Sequence, residues 1–321
     1  MRGALYPSPG AENPPSGMSI LISKEKAGHP RQKTSTNSRD AHVKRQRKKY
    51  LSQMIVTKLL PFEDSRMQNQ YRRAMDCGSV IEQVDGRLTT RYCKTRCCLV
   101  CNGIRSAMLI DTYKPIVETW PDPRMVTLTV PNVPLSKLRD TVDEMARQFA
   151  LILKQLRRRG MDVRAVRVIE VTAKSVSDTH PHFHAAVPSG AVGDAIVESW
   201  LHRYPKASAK AQDVLSWDTD LRELFKYVTK MTSADMSPKL LDGILQAMWG
   251  KHLVRPYGFR LERDPTDDSV FDELVPVNVE WKRYGEHVVW IWHDALANWM
   301  DPVTGELLVD TDQPSGLSGF A

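Results

Sequence analysis

The chain has no long apolar run. Nowhere do its 321 residues string together the roughly 20 apolar positions that a membrane-spanning helix needs. Its N-terminus also lacks the apolar core of a secretion signal, being polar and rich in Pro, Gly and Ser. We therefore expect a cytoplasmic protein with no membrane partner. Cysteine is missing from almost the whole length: all five lie between Cys77 and Cys101. That excludes a disulfide framework spread through the fold. Without a secretion signal, such a cluster reads as metal-binding. A nucleotide-binding loop is missing too. Between Gly243 and Gly250-Lys251 stand six residues where a phosphate loop has four, and His252 replaces the expected Ser or Thr. No ATP-driven motor is expected within the chain.

What is present suits a globular protein: 41% hydrophobic and 26% charged residues are enough to build a core under a solvated surface. Charge is uneven. Residues 1–50 hold 11 Lys/Arg against 3 Asp/Glu, and 261–321 hold 3 against 13. The middle, 51–260, holds 31 against 22, which suits a polyanionic substrate such as nucleic acid. We divide the chain into a disordered basic tail (1–50), a helical and cysteine-rich zinc-binding region (51–120), a domain of mixed strands and helices (121–262) and an acidic C-terminal extension (263–321). The run Lys44-Arg45-Gln46-Arg47-Lys48-Lys49 in the tail is suited to holding phosphates nonspecifically.

Along the chain, 51–76 reads as one or two helices. Cys98-x-x-Cys101 has the spacing of a zinc knuckle; Cys93 precedes it by a short loop, and Cys77 returns through a hairpin containing Asp85-Gly86. Four thiolates make a closed structural zinc site. Cys97 is an alternative to Cys98, but two-residue knuckles are commoner. A helix follows over 102–120, then a β-branched strand over Met125–Val130, and an amphipathic helix over 135–159 closed by Gly160. Strands over Val163–Thr172 and His180–Val187 are joined by a short connection and should pair antiparallel. Helices are expected over 191–212, 218–232 and from 238 to near Gly250, followed by a loop or strand from Leu253 to Leu261. A hairpin is expected between 275–281 and 286–292, and a disordered tail from Asp310.

The stretch His180-Pro181-His182-Phe183-His184 carries the chemistry. On a strand, His182 and His184 share a face and Phe183 takes the other. Two imidazoles so placed can hold one divalent metal, and Glu170, near the end of the preceding strand, can complete a two-His, one-carboxylate set. On the 218–232 helix, Glu223, Tyr227 and Lys230 form one polar stripe.

These pieces, in this order, resemble the plasmid rolling-circle replication initiators (Rep proteins) of the HUH endonuclease superfamily, the single-tyrosine type with an N-terminal cysteine cluster. Thr127-Leu128-Thr129-Val130, the His180–His184 stretch, Glu223-x-x-Lys226-Tyr227-x-x-Lys230 and Cys93-x-x-Arg96-x-Cys98-x-x-Cys101 carry the likeness. Leu99 stands where the family commonly has Pro, and Cys97 is extra. The resemblance implies an α+β fold: a central antiparallel sheet with packed helices, His-x-His on a central strand, preceded by a small zinc-binding subdomain. It implies nicking of one origin strand by Tyr227, with a 5′-phosphotyrosyl intermediate and a free 3′-OH. Lys230 would stabilise phenolate or phosphate charge, and Glu223 would activate water at termination. His182, His184 and Glu170 would hold Mg²⁺ or Mn²⁺; Cys77, Cys93, Cys98 and Cys101 would hold Zn²⁺. Lys226 and Arg96 are expected to contact DNA. Expected partners are origin DNA, as a hairpin or single-stranded nick site, with a host helicase, single-strand binding protein and DNA polymerase; a homodimer is allowed. An HUH transposase or relaxase, or a noncatalytic zinc-containing DNA-binding regulator, are the competing readings.

Overall fold

The computed structural model describes residues 35–84, 87–216, 221, 224–225, 236–261 and 288–309. The expected α+β class holds. Six helices are named among the described residues: α1 (Ser35–Leu59), α2 (Gln68–Met75), α3 (Leu99–Val117), α4 (Leu135–Arg158), α5 (Gly190–Arg203) and α6 (Pro238–Ala247). The strands are β1 (Val80–Val84), β2 (Arg87–Thr90), β3 (Arg124–Thr129), β4 (Ala165–Ser175), β5 (Asp178–Val187), β6 (Asp213–Ser216), β7 (Val254–Tyr257), β8 (Val288–His293) and β9 (Asn298–Met300). They form two antiparallel sheets, ordered β6-β3-β5-β4-β7 and β2-β1-β8-β9. No helix among the described residues is long and apolar enough to cross a membrane.

The five-stranded sheet is built around β5. Its apolar face holds Phe183, which meets the rings of Phe149 on α4 and Trp200 on α5, each with centroids 6.1 Å away. The period of two sends Phe183 into these helices and leaves His182 and His184 on the opposite face. Helix α4 carries Leu138, Val142, Met145, Phe149, Ile152 and Leu156 on one buried stripe, as its spacing predicts. Helix α5 lies close on β6: a Cβ on Gly193 would stand 2.7 Å from a Val214 methyl, so glycine sets that approach. The expected helix over 191–212 stops at Arg203, because Pro205 follows and disfavours helical backbone before it. Residues 213–216 instead form the edge strand β6. Helix α6 ends at Ala247, close to the expected stop near Gly250, which has φ +75°, and the expected following segment forms β7.

The second region contains two smaller cores. One joins Ile55, Val56 and Leu59 of α1 with Tyr71 and Ala74 of α2 and the buried cysteines. The other joins Ile81 of β1 with Trp290, Trp292, Trp299 and Leu308. Helix α6 serves two cores: Leu240 and Ile244 pack in the core of the five-stranded sheet, Leu241 and Leu245 in the cysteine core. Between these rows, buried Asp242 accepts from the Ser65 hydroxyl at 2.5 Å and the Tyr71 hydroxyl at 2.6 Å. That carboxylate ties α6 to the helical region before the cysteines.

Two expectations are corrected. Residues 35–50 are helical, not a disordered tail; the same helix runs on to Leu59. Its buried stripe includes His42, Lys49 and Ser52, polar residues that hydropathy does not count as core. Lys49, expected to face phosphate, is fully buried and donates to the Met75 carbonyl at 2.7 Å and the Ser79 hydroxyl at 2.9 Å. Secondly, the C-terminal segment is not a separate extension where described: β8 pairs with β1 and β9, extending the sheet beside the cysteines. The expected hairpin partner, 275–281, lies outside the described residues, as do 1–34 and the tail from 310.

Candidate functional site

Strand register assembles the first cluster. Glu170 on β4 stands opposite His182 on β5, and His184 stands opposite Thr127 on β3. Three strands thus bring one carboxylate, two imidazoles and a hydroxyl to one face. Glu170 Oε2 lies 2.7 Å from His182 Nε2 and 2.9 Å from His184 Nε2. The Glu170 and His184 side chains are only 3% and 8% exposed, and that of His182 is 12% exposed, so the cluster is reached from the His182 side. Burial raises the Glu170 pKa, but hydrogen bonds and charge from His182 and His184 together outweigh it and hold the carboxyl at about 2.

The second contacts of the histidines favour a metal. His182 Nδ1 is 3.1 Å from the His180 carbonyl, which only accepts, so Nδ1 carries the proton. His184 Nδ1 is 3.2 Å from the Thr127 hydroxyl. Nε2 of His182 and Nε2 of His184 then both face Glu170 Oε2, and hydrogen-bonded Nδ1 atoms are the usual support of metal-bound imidazoles. The ligand atoms of Glu170, His182 and His184 all lie within 4.8 Å of one another, as a shared ion requires. Thr127 and the His180 carbonyl are the supporting groups that motif reading passed over. The pairing Thr127↔His184 joins strands that are not consecutive in the chain, so no short-range spacing announces it.

The second cluster is closed. Cys77, Cys93, Cys98 and Cys101 are all buried, and one sulfur from each lies within 4.8 Å of the others. Cys101 Sγ is 3.5 Å from both Cys77 Sγ and Cys93 Sγ. Backbone amides of Cys93 and Thr95 point at the sulfurs of Cys77 and Cys93, both at 3.4 Å. Amides aimed at sulfur, and Cys98 at the N-cap of α3, favour thiolates. The donor set suits zinc. Hairpin β1–β2, with Val84 paired to Arg87 around positions 85–86, carries the chain back from Cys77 as expected. Cys97 is outside the set. Burial pushes its thiol up to about 12, and its sulfur lies 3.4 Å from the Thr95 hydroxyl. It packs as a protonated, apolar side chain.

Arg96 donates to the carbonyls of Met248 at 3.2 Å and Lys251 at 2.6 Å, holding the loop after α6 to the cysteine region. Glu223, Lys226, Tyr227 and Lys230 lie outside the described residues. Nearby Phe225 is described: its carbonyl accepts from Ser106 on α3 at 3.4 Å, and its ring stands 5.7 Å from Tyr113.

Comparison with known proteins agrees with the motifs. Residues 86–188, which span the Cys93–Cys101 block, β3, β4 and the His-x-His strand, match the family described as Replication protein. A "Protein rep" from a Bacillus species is 31% identical over 106 residues, covering 30% of this chain and 34% of the relative. A "Protein rep" of Streptococcus pneumoniae serotype 2 is 30% identical over 125 residues, 35% of this chain and 39% of the relative. A third, from Bacillus amyloliquefaciens, is 30% identical over 106 residues, 30% of each chain. Over this stretch the chain is similar to Rep replication proteins. It spans between 30% and 39% of the length of these relatives. No solved structure matches it.

Proposed function

We propose that the chain initiates plasmid rolling-circle replication by nicking one strand of an origin. The observation that carries this reading is the convergence of Glu170, His182 and His184 on one sheet face. A metal bound there, Mg²⁺ or Mn²⁺, supplies charge stabilisation to the scissile phosphate. The nucleophile is Tyr227, assigned from the motif Glu223-x-x-Lys226-Tyr227-x-x-Lys230. Its oxygen attacks phosphorus in line; the bond to the 3′ oxygen breaks, that oxygen takes a proton, and the 5′ phosphate stays on tyrosine. Lys230 favours the phenolate and the crowded phosphate charge. Glu223, one turn before Tyr227, takes a proton from water at termination, so that the strand is released rather than passed on. Zinc in the four-cysteine site is structural. Origin DNA is the substrate, and strand separation falls to a host helicase, with host single-strand binding protein and polymerase following.

The test is nicking of supercoiled origin plasmid by the purified chain. His182→Ala should abolish open-circle product while leaving duplex binding intact. Tyr227→Phe should lose the denaturation-resistant protein–DNA adduct. Full nicking by both variants would overturn the site assignment, and no nicking by the wild-type chain would leave the noncatalytic DNA-binding regulator as the better reading.

A further inference from the structure

A cavity of about 440 Å³ lies where the cysteine region, α6 and the loop before β7 meet. Its size is that of a small-ligand site. Its wall has two chemistries. Leu109, Leu245, Met248, Leu253 and Val254 supply apolar surface, and Arg73, Lys94, Arg96, Arg105 and Lys251 supply cations. No carboxylate is among the described residues that line it. Hydrogen bonds fix two of the guanidinium groups in the wall: Arg73 donates to the Cys93 carbonyl at 2.7 Å, and Arg105 to the Lys94 carbonyl at 3.0 Å and Asn102 Oδ1 at 3.1 Å. Lys251 also pairs with Asp143, which is not a lining residue. Trp249 belongs to the same wall and remains 37% exposed, with the Arg66 guanidinium 5.9 Å from its ring centre.

Cations, apolar floor and an exposed indole together match one ligand class. A nucleotide unit presents an aromatic face and an anionic phosphate, and single-stranded nucleic acid is gripped by stacking on aromatics inside basic grooves. Position agrees. The Leu253 carbonyl accepts from Ile169 N at 2.9 Å, and Val254 pairs with Val168 on β4. The cavity wall is therefore hydrogen-bonded to the strand that bears Glu170, one residue away. Neighbouring strands are about 5 Å apart, so the cavity wall and the Glu170 strand are within a few nucleotides of each other.

We infer that this cavity holds one nucleotide of the single strand flanking the scissile phosphate, with its base on Trp249 and its phosphate among the cations. The inference rests on the nuclease reading for its substrate but uses none of the nicking residues. The test uses the full chain, fluorescein-labelled dT12 and dA12 strands, and duplex of the same length, read by anisotropy. Trp249→Ala should weaken single-strand binding by roughly five- to a hundredfold and duplex binding far less. Trp249→Phe should restore most of it, which a mere folding defect would not allow. Lys251→Gln should flatten the salt dependence by about one released ion. Unchanged single-strand affinity in Trp249→Ala, or equal losses on duplex and single strand, would overturn the cavity assignment. His184→Ala separates the two readings: persistent nicking there refutes the nuclease site, whereas lost nicking with an inert Trp249 refutes the cavity alone.

Discussion

The two candidate metal clusters differ in how they are enclosed. The cysteine set is sealed: four buried thiols are drawn from two stretches of chain and set among α1, α2 and α3, beside the β2-β1-β8-β9 sheet. The Glu-His-His set lies on the face of the other sheet opposite Phe183, its ligands preplaced by strand register and reached past His182. A sealed thiolate site contributes to folding, while an accessible site of nitrogen and oxygen ligands leaves room for substrate. The first should therefore report on stability and the second on activity.

The largest expected effect is on the sealed cluster. Purified protein should hold about one zinc per chain, resistant to weak chelators. Replacing Cys98 and Cys101 together with serine should release it and cost several kcal/mol, since isolated structural zinc sites are worth about 10 kcal/mol or more. Wild-type thermal stability in that double variant would remove the distinction. His184→Ala should do the reverse. Losing charge stabilisation of several kcal/mol should lower nicking about a thousandfold, while stability changes by about 1 kcal/mol. Calorimetry and plasmid nicking on the same preparations compare the two.

The joint between the regions comes next. Asp242 on α6 accepts from Ser65 and Tyr71, both before the cysteines. Asp242→Ala would strand two buried hydroxyls and should cost roughly 3 kcal/mol. Zinc retention and nicking should fall together, unlike in either cluster variant. Tyr71→Phe should cost roughly 1 kcal/mol by the same reasoning. A fall in only one readout would show that the regions are independent.

Sequence made the Glu-His-His site legible because its signal is local. His182, Phe183 and His184 alternate faces, and a short connection forces Glu170 beside them. The cysteines were legible from spacing, down to preferring Cys98 over Cys97. The sheet beside them was not. β1 pairs with β8 across about 200 residues, and no short-range pattern in Val80–Val84 announces a partner at Val288–His293. Helix α1 was hidden for a different reason. Its buried positions before residue 50 include His42 and Lys49, so the core-facing stripe looks like a polar tail. Arg96, expected to contact DNA, donates to the Met248 and Lys251 carbonyls and so clamps the cavity wall.

The smallest effect concerns that distant sheet. Trp299 on β9 donates its Nε1–H to the Gly78 carbonyl at 2.7 Å, and its ring packs against Trp292 at 4.7 Å. Gly78 follows the ligand Cys77 and has φ +66°, a turn that leaves its carbonyl needing a partner. If the C-terminal strands brace the cysteine cluster, Trp299→Phe should keep most of the packing but strand that carbonyl. The cost should be about 1–2 kcal/mol, with a melting point a few degrees lower. Zinc transfer to a strong chelator should also quicken, because opening the Cys77 turn becomes easier. Nicking at saturating magnesium should hardly change, since neither residue touches the five-stranded sheet's face opposite Phe183. A variant that melts earlier but releases zinc at the wild-type rate would mean that the Trp-rich sheet stabilises only itself. In that case the sealed character of the cluster comes from α1, α2 and α3 alone.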